Sequence, residues 1–449
     1  MTSRILILLL LLLILNPLTY FFYLVQTAAS KGEKEPLVYD RKLRIERIVD
    51  GLEYPTGMAF LDKDDFLVIE KDNGKVQRIV NGETLNQPIL DVDVSNQNER
   101  GMLGIAISEH KSASSTFVYL YFTESPKEQD GTDYCPKIVY CEGENNPKGN
   151  RLYKYELTSN KLVNPKLLLD LPATPGSEHN GGSLAIGPDD NLYLVIGDLS
   201  FTNSQVSNAV EGNPADGRGG ILRITQDGEV VLPNILGDKH PLDMYYAYGI
   251  RNSFGINFDP VTGNLWDTEN GPDYADEINL VEPGFNSGWE KAQGIWKPEN
   301  DSGGSVAPEE PSNFANFGGN GKYSDPEFTW KLPVGVTSIK FLDSDKLGKE
   351  YENDLLVADI HKGNIYHFEL NAQRTELILK GALADKVADT DEEYKEILFA
   401  SGFNGITDIE VGPDGYLYVL TFHERTKADR QHYYGQGAIY RIVPADLDD

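Results

Sequence analysis

Cysteine is almost missing from this chain. Its 449 residues include two, Cys135 and Cys141, with five residues between them. A structural zinc site needs about four Cys or His ligands, and no histidine lies near this pair. The spacing is also not that of a CxxC redox motif. In an oxidising compartment the simplest expectation is a small disulfide closing a loop. Basic residues are scarce as well, 40 Lys and Arg against 70 Asp and Glu, for a net charge of −30. A nucleic-acid binder needs a basic face to neutralise phosphates, so that class is excluded. So is electrostatic docking on anionic lipid. There is no GxGxxG after a strand, no GxxxxGK[ST], no HExxH and no GxSxG. Nicotinamide, nucleotide, zincin and serine-hydrolase chemistries therefore have no support.

Long apolar runs are missing too, except at the start. Ile5 to Val25 is apolar apart from Asn16, Pro17, Thr19, Tyr20 and Tyr23, and Arg4 supplies a positive flank. The small residues Ala28, Ala29 and Ser30 follow, as after a cleaved secretory signal. The run would also nearly span a bilayer, which takes ~20 residues. Residues 1–29 are thus expected to be a signal peptide or a membrane anchor, with both options open. Either places the body outside, secreted or anchored at the outer face of the cytoplasmic membrane. Residues 30–44 read as a polar linker, and 45–449 as one folded unit.

What the chain does contain is repetition. Six segments begin at Pro55, Gly101, His179, Gly249, Gly335 and Asn404. Each starts with Gly or Thr beside an apolar pair and passes through a Pro/Asp/Gly turn. An alternating strand such as LYLVIG or LYVLTF then follows, bounded by GPDD and GPDG. Period-two runs rich in β-branched and aromatic residues are strands. No long segment of the body shows a convincing 3.6 period. The expected fold is all-β, a six-bladed β-propeller of four-stranded antiparallel sheets preceded by the N-terminal apolar helix. The longest insertion, Lys291 to Lys331, includes a sequon at Asn300-Asp301-Ser302.

Propellers carry function on the loops at one end of the channel. Three loops stand out. Glu178-His179-Asn180-Gly181-Gly182 offers an imidazole that titrates near neutrality and can act as a general base. A solvated loop histidine is the plainer reading of the same residues. Tyr248-Gly249-Ile250-Arg251-Asn252 offers an anion clamp, or a salt bridge to one of many acids. Glu269-Asn270-Gly271-Pro272-Asp273-Tyr274-Ala275-Asp276-Glu277 combines a Gly-Pro turn with carboxylates, the oxygen chemistry that calcium prefers. It reads equally as a solvated acidic turn.

Four motifs together, ERGMLGIA from Glu99, EHNGG from Glu178, YGIRN from Tyr248 and ENGPDYADEINLV from Glu269, resemble the soluble pyrroloquinoline-quinone-dependent aldose dehydrogenases, the glucose/sorbosone dehydrogenase family. The resemblance runs over about residues 45–443. It implies a six-bladed propeller with the quinone and calcium over the channel. It implies that His179 takes the proton of an aldose C1 hydroxyl as hydride passes to the quinone, yielding a lactone and then serving an external electron acceptor. Arg251, Asn252 and Glu99 fall on the cofactor side. The carbonyls of Gly271 and Pro272 match ligands of the cofactor-linked calcium, and Asp276 and Glu277 match acids holding that region. The chain departs from the family at three places. Ser183 follows the His loop where an Arg is usual. His361 stands where a Lys is frequent, with Lys362 beside it. The sixth start, Phe403 to Asp408, has no cation where the glucose-oxidising members have two arginines, leaving residues such as Arg425 to compensate. Two other functions suit a propeller, a non-catalytic one binding carbohydrate or protein on its loop face and a calcium-dependent lactonase.

Overall fold

The Gly-Pro-Asp turns fold as their residues dictate. At Gly187–Asp190 the Asp190 N–H donates to the Gly187 carbonyl at 3.0 Å, and the Asp189 carboxylate accepts from Asn191 N at 3.2 Å. The GPDG turn repeats this arrangement, with Gly415 N on Gly412 O and Tyr416 N on Asp414 Oδ1. Each turn closes a hairpin, Leu184–Ile186 with Asn191–Ile196 in the first case and Ile406–Val411 with Leu417–Thr421 in the second. The computed structural model describes residues 35–110, 115–133, 145–296, 313–422 and 436–445. The apolar N-terminal run, Cys135, Cys141, Asn300 and Arg425 lie outside the described residues.

The described strands form six sheets. Their first strands are Pro55–Asp62, Met102–His110, Leu184–Ile186, Ser253–Phe258, Val336–Phe341 and Ile406–Val411. Each touches the next around a closed ring, so the fold is an all-β propeller. The second strands, such as Leu265–Glu269 and Leu355–Asp359, are wholly buried because neighbouring sheets cover both faces. The core therefore lies between sheets. Tyr119, Tyr121 and Leu152 pack with Leu192, Leu194 and Leu222 of the next sheet, and Trp266 with Trp330, Phe341 and Tyr366 further round. Burying each such side chain contributes roughly 1.5–3 kcal/mol.

Two expectations need correction. The sheets are not uniformly four-stranded but carry four to six strands. Short parallel additions account for some of this, Phe285–Asn286 and Lys322–Tyr323 on one sheet and Val387–Ala388 on another. Part of the expected linker is also structured. Leu37–Val38 pairs with Leu398–Ser401, and Leu43–Glu53 pairs antiparallel with Gln436–Pro444. The ring is thus fastened by a strand from near the N-terminus hydrogen-bonded to one from near the C-terminus. This removes an edge that would otherwise stay unpaired.

Candidate active site

The first strands leave a channel, and at one end the loops that lead into them, with those that leave the second strands, enclose a cavity of about 500 Å³. That size suits a small-molecule ligand. Lys71, Glu99, His179, Arg251, Asn252 and His361 stand on its wall, with Phe254 and Phe422 among the apolar residues. The loops approach each other closely. A Cβ at Gly104 would sit 1.9 Å from the Gly182 carbonyl, and one at Gly197 would meet the carbonyls of both His179 and Arg251 within 2.6 Å. Only glycine lets these backbones pass.

His179 is held from both ends. Its backbone has φ of 61°, and its N–H donates to Glu99 Oε2 at 2.6 Å. Its Nδ1 lies 2.6 Å from Asp198 Oδ1. A carboxylate can only accept, so Nδ1 carries the hydrogen and Nε2 is left as the basic nitrogen. The adjacent Glu178 is therefore not the orienting acid. Asp198 is, and its side chain is almost fully buried. Its Oδ1 also accepts from Ser200 N at 2.8 Å, and its Oδ2 from Trp289 Nε1 at 2.7 Å.

Glu99 also accepts from Asn252 Nδ2 at 3.1 Å, which joins three loops through one carboxylate. Asn252 Oδ1 is buried without a protein donor. Arg251 donates from one guanidinium nitrogen to the carbonyls of Asn270 at 3.0 Å and Gly271 at 3.1 Å. Its backbone N–H rests on Glu269 Oε1 at 2.7 Å. The guanidinium lies 5.5 Å from the centroid of the Trp289 ring.

Other predicted residues sit elsewhere. Gly271 reaches the wall, but Pro272, Asp276, Glu277 and Lys362 do not. Lys362 Nζ is turned onto the Tyr394 ring, 4.5 Å from its centroid. Asp276 accepts from the N–H groups of Gly271, Val334, Gly335 and Val336, so it ties two turns together. Burial raises its pKa while those donors oppose the rise. Glu277 faces the interior of its sheet, bonded to Gln293, Asn279 and Gly294. There it joins Glu269 and Asp267. Burial pushes Glu269 up to about 7 and the other two well above the carboxylate range. Both oxygens of Asp267 lack partners, as do Asn279 Oδ1 and Gln293 Oε1. Among the described residues no three His, Cys, Asp or Glu side chains converge on one metal position. From the sixth start, Thr407 lines the cavity, while Asp408 is bonded to Met58 N and Ser338.

Reading the loops one at a time missed Lys71, Asp198 and Trp289. Aligning the repeats offers a signal for Asp198. An acid closes or follows the second strand in LVIEK, LVIGD, WDTEN and LVADI, at Glu70, Asp198, Glu269 and Asp359. Each of the four accepts a backbone N–H from a nearby loop.

Residues 52–429 match the Glucose / Sorbosone dehydrogenase family. The chain is 26% identical to the aldose sugar dehydrogenase YliI of Escherichia coli over 84% of this chain and 90% of that one. It is 28% identical to the quinoprotein glucose dehydrogenase B of Acinetobacter calcoaceticus over 88% and 87%. The solved structure of the PQQ-bound aldose sugar dehydrogenase of Streptomyces coelicolor superposes with a TM-score of 0.59 at 22% identity, covering 91% of this chain and all of that one. With the propeller and its His-Arg-Asn cavity in place, this chain belongs to the Glucose / Sorbosone dehydrogenase family.

Proposed function

We propose that the protein is an exported quinoprotein that oxidises the C1 hydroxyl of aldose sugars to lactones, using pyrroloquinoline quinone and calcium. The observation that carries this reading is the His179–Asp198 pair on a cavity that also presents Arg251 and Asn252. When bound, the quinone supplies the two-electron acceptor for the C1 hydride, and an external acceptor later removes those electrons.

The chain's own residues supply the rest. His179 Nε2 accepts the C1 hydroxyl proton, and Asp198 holds the ring and stabilises the imidazolium that results. Arg251 and Lys71 are the lysine and arginine cations on the described wall; Lys71 Nζ is already paired with Asp72 at 2.6 Å, so Arg251 is the one suited to the carboxylates of the quinone. Phe254 and Phe422 help exclude water.

Calcium has two candidate positions. At the Gly271-Pro272 turn, Arg251 already engages the Gly271 carbonyl, so an ion there would share or displace that contact. The unpartnered oxygens of Asp267, Asn279 and Gln293 beside Glu277 are hard, neutral or anionic ligands of the kind calcium takes. Glu277, with Asp267, is our choice of residues to hold the ion.

The test adds quinone and calcium to purified protein and follows the quinone absorption band. Binding at micromolar concentration, with bleaching on aldose addition, is expected. Protein saturated with calcium that binds no quinone sinks the enzyme reading and leaves a recognition surface on the loop face. Calcium-dependent ester hydrolysis without quinone would instead make it a lactonase.

A further inference from the structure

Trp289 touches the side chains of both Asp198, behind His179, and Arg251. Its Nε1 donates to Asp198 Oδ2 at 2.7 Å, and its ring lies 5.5 Å from the Arg251 guanidinium carbon. Its backbone is fixed from two directions. The N–H donates to the Gly249 carbonyl at 3.0 Å, and the carbonyl accepts from Asn208 Nδ2 at 2.7 Å. The ring is thus fixed against both the turn that leads into Arg251 and a neighbouring short helix, Gln205–Ser207.

Asp198 shows what the ring does there. Oδ1 is shared by His179 Nδ1 and Ser200 N. Oδ2 has Trp289 as its donor among the described residues. A carboxylate gripped on one oxygen can pivot about its terminal torsion, which is broad and two-fold. A donor on the second oxygen stops that pivot and so aims the imidazole, since base geometry is set by the group behind the base. The same ring presents its face to Arg251, and an arginine over an indole is attracted by the ring quadrupole. His179 and Arg251 belong to different loops, and Trp289 ties their side chains together.

Building on the quinoprotein reading, we infer that Trp289 is a positioning residue that sets both the tautomer and aim of His179, through Asp198, and the placement of the Arg251 clamp. Two substitutions separate these roles. Trp289→Phe keeps an aromatic face under Arg251 and removes the donor. Trp289→Leu removes both.

The first readout needs no quinone. Nitrogen-15 NMR of the histidine rings should show His179 as the Nδ1–H tautomer in the parent protein and in a mixture of tautomers in Trp289→Phe. The second is a split in the loaded protein. Trp289→Phe should lower kcat about tenfold, as expected for losing one hydrogen bond to a charged group, with the quinone Kd within about twofold of the parent's, because the clamp is untouched. Trp289→Leu should lower kcat as far and also raise that Kd about fivefold, the scale of one exposed cation–π contact. Circular dichroism of Trp289→Phe should match the parent, with a melting temperature lowered only by the loss of one buried hydrogen bond.

An unchanged His179 tautomer in a folded Trp289→Phe protein would overturn the inference, as would equal effects of the two variants on quinone Kd. Failure of the quinoprotein reading looks different. The parent would bind no quinone, while the tautomer experiment would still decide whether Trp289 aims His179.

Discussion

At the residue scale, two substitutions separate chemistry from binding. His179→Asn keeps a polar side chain but no base. It should lose about 10²–10⁴-fold in kcat, the usual contribution of a positioned base, while quinone still binds. Rapid-mixing measurements of quinone reduction check this, and a variant as fast as the parent would return His179 to an ordinary loop residue. Arg251→Ala removes one of the two cations on the described wall. It should raise the quinone Kd by about 10–100-fold, the scale of a hydrogen bond between charged groups. Under the proposed function the main burden falls on Arg251, because Lys71 Nζ is paired with Asp72 at 2.6 Å. A direct binding titration decides it, and an unaltered Kd would show that the guanidinium only braces the Asn270 and Gly271 carbonyls.

At the scale of the strands, the channel carries an acid whose titration reports on folding. Asp408 lies on the sixth first strand, Ile406–Val411, bonded to Met58 N and Ser338 Oγ. Burial, then the neighbouring Glu410, pushes it up to about 7, against the pull of Lys340. An acid raised in the folded state binds its proton more tightly there than in the unfolded chain. Its contribution is therefore complete below about pH 4 and is lost as pH rises through about 7. Asp359, pushed by burial up to about 6, acts in the same direction. The quinone-free protein should accordingly lose stability between pH 4 and pH 7. Asp408→Asn is neutral and keeps an acceptor for Met58 N, so it should flatten that decline. Melting curves across this range test the sign, and a stability that climbs through the same window would contradict it.

At the scale of the whole molecule, ring closure is the feature to perturb. A chain beginning at Leu37 keeps the Leu43–Glu53 strand and should melt like the full protein. One beginning at Tyr54 leaves Gln436–Pro444 with a bare edge and removes the apolar contribution of Leu43, Val49 and Leu52, all buried here. At roughly 1.5–3 kcal/mol per buried side chain the cost is on the order of 5 kcal/mol, visible as early melting or aggregation. Equal melting of the two chains would mean that the ring holds without its fastening strand. The proposed calcium is tested at this scale too. An ion that binds only the folded state raises Tm by mass action. Chelator should lower Tm, and Glu277→Gln should blunt that response. A chelator-insensitive Tm, with no calcium found by elemental analysis, would remove the ion from the proposal.

The sequence by itself determined the strands, the turns and the all-β propeller, because these rest on period-two alternation and on local Gly, Pro and Asp chemistry that acts within a few residues. It also located His179, Arg251 and Asn252, because they follow a repeat boundary and so stand at one end of the channel. What only the tertiary structure decided is which groups meet. Asp198 lies 19 positions from His179, and Trp289 lies 91 from Asp198. No local rule brings them together. Strand alternation sent Asp276 to its cluster of N–H donors and Glu277 to the opposite side, among Asp267 and Glu269, while a neighbouring tyrosine drew Lys362 off the wall. Leu37–Val38 and the first two residues of the Leu43–Glu53 strand looked like linker, because their partners lie about 360 to 400 residues away, and pairing across such a distance is specified only once the ring has closed.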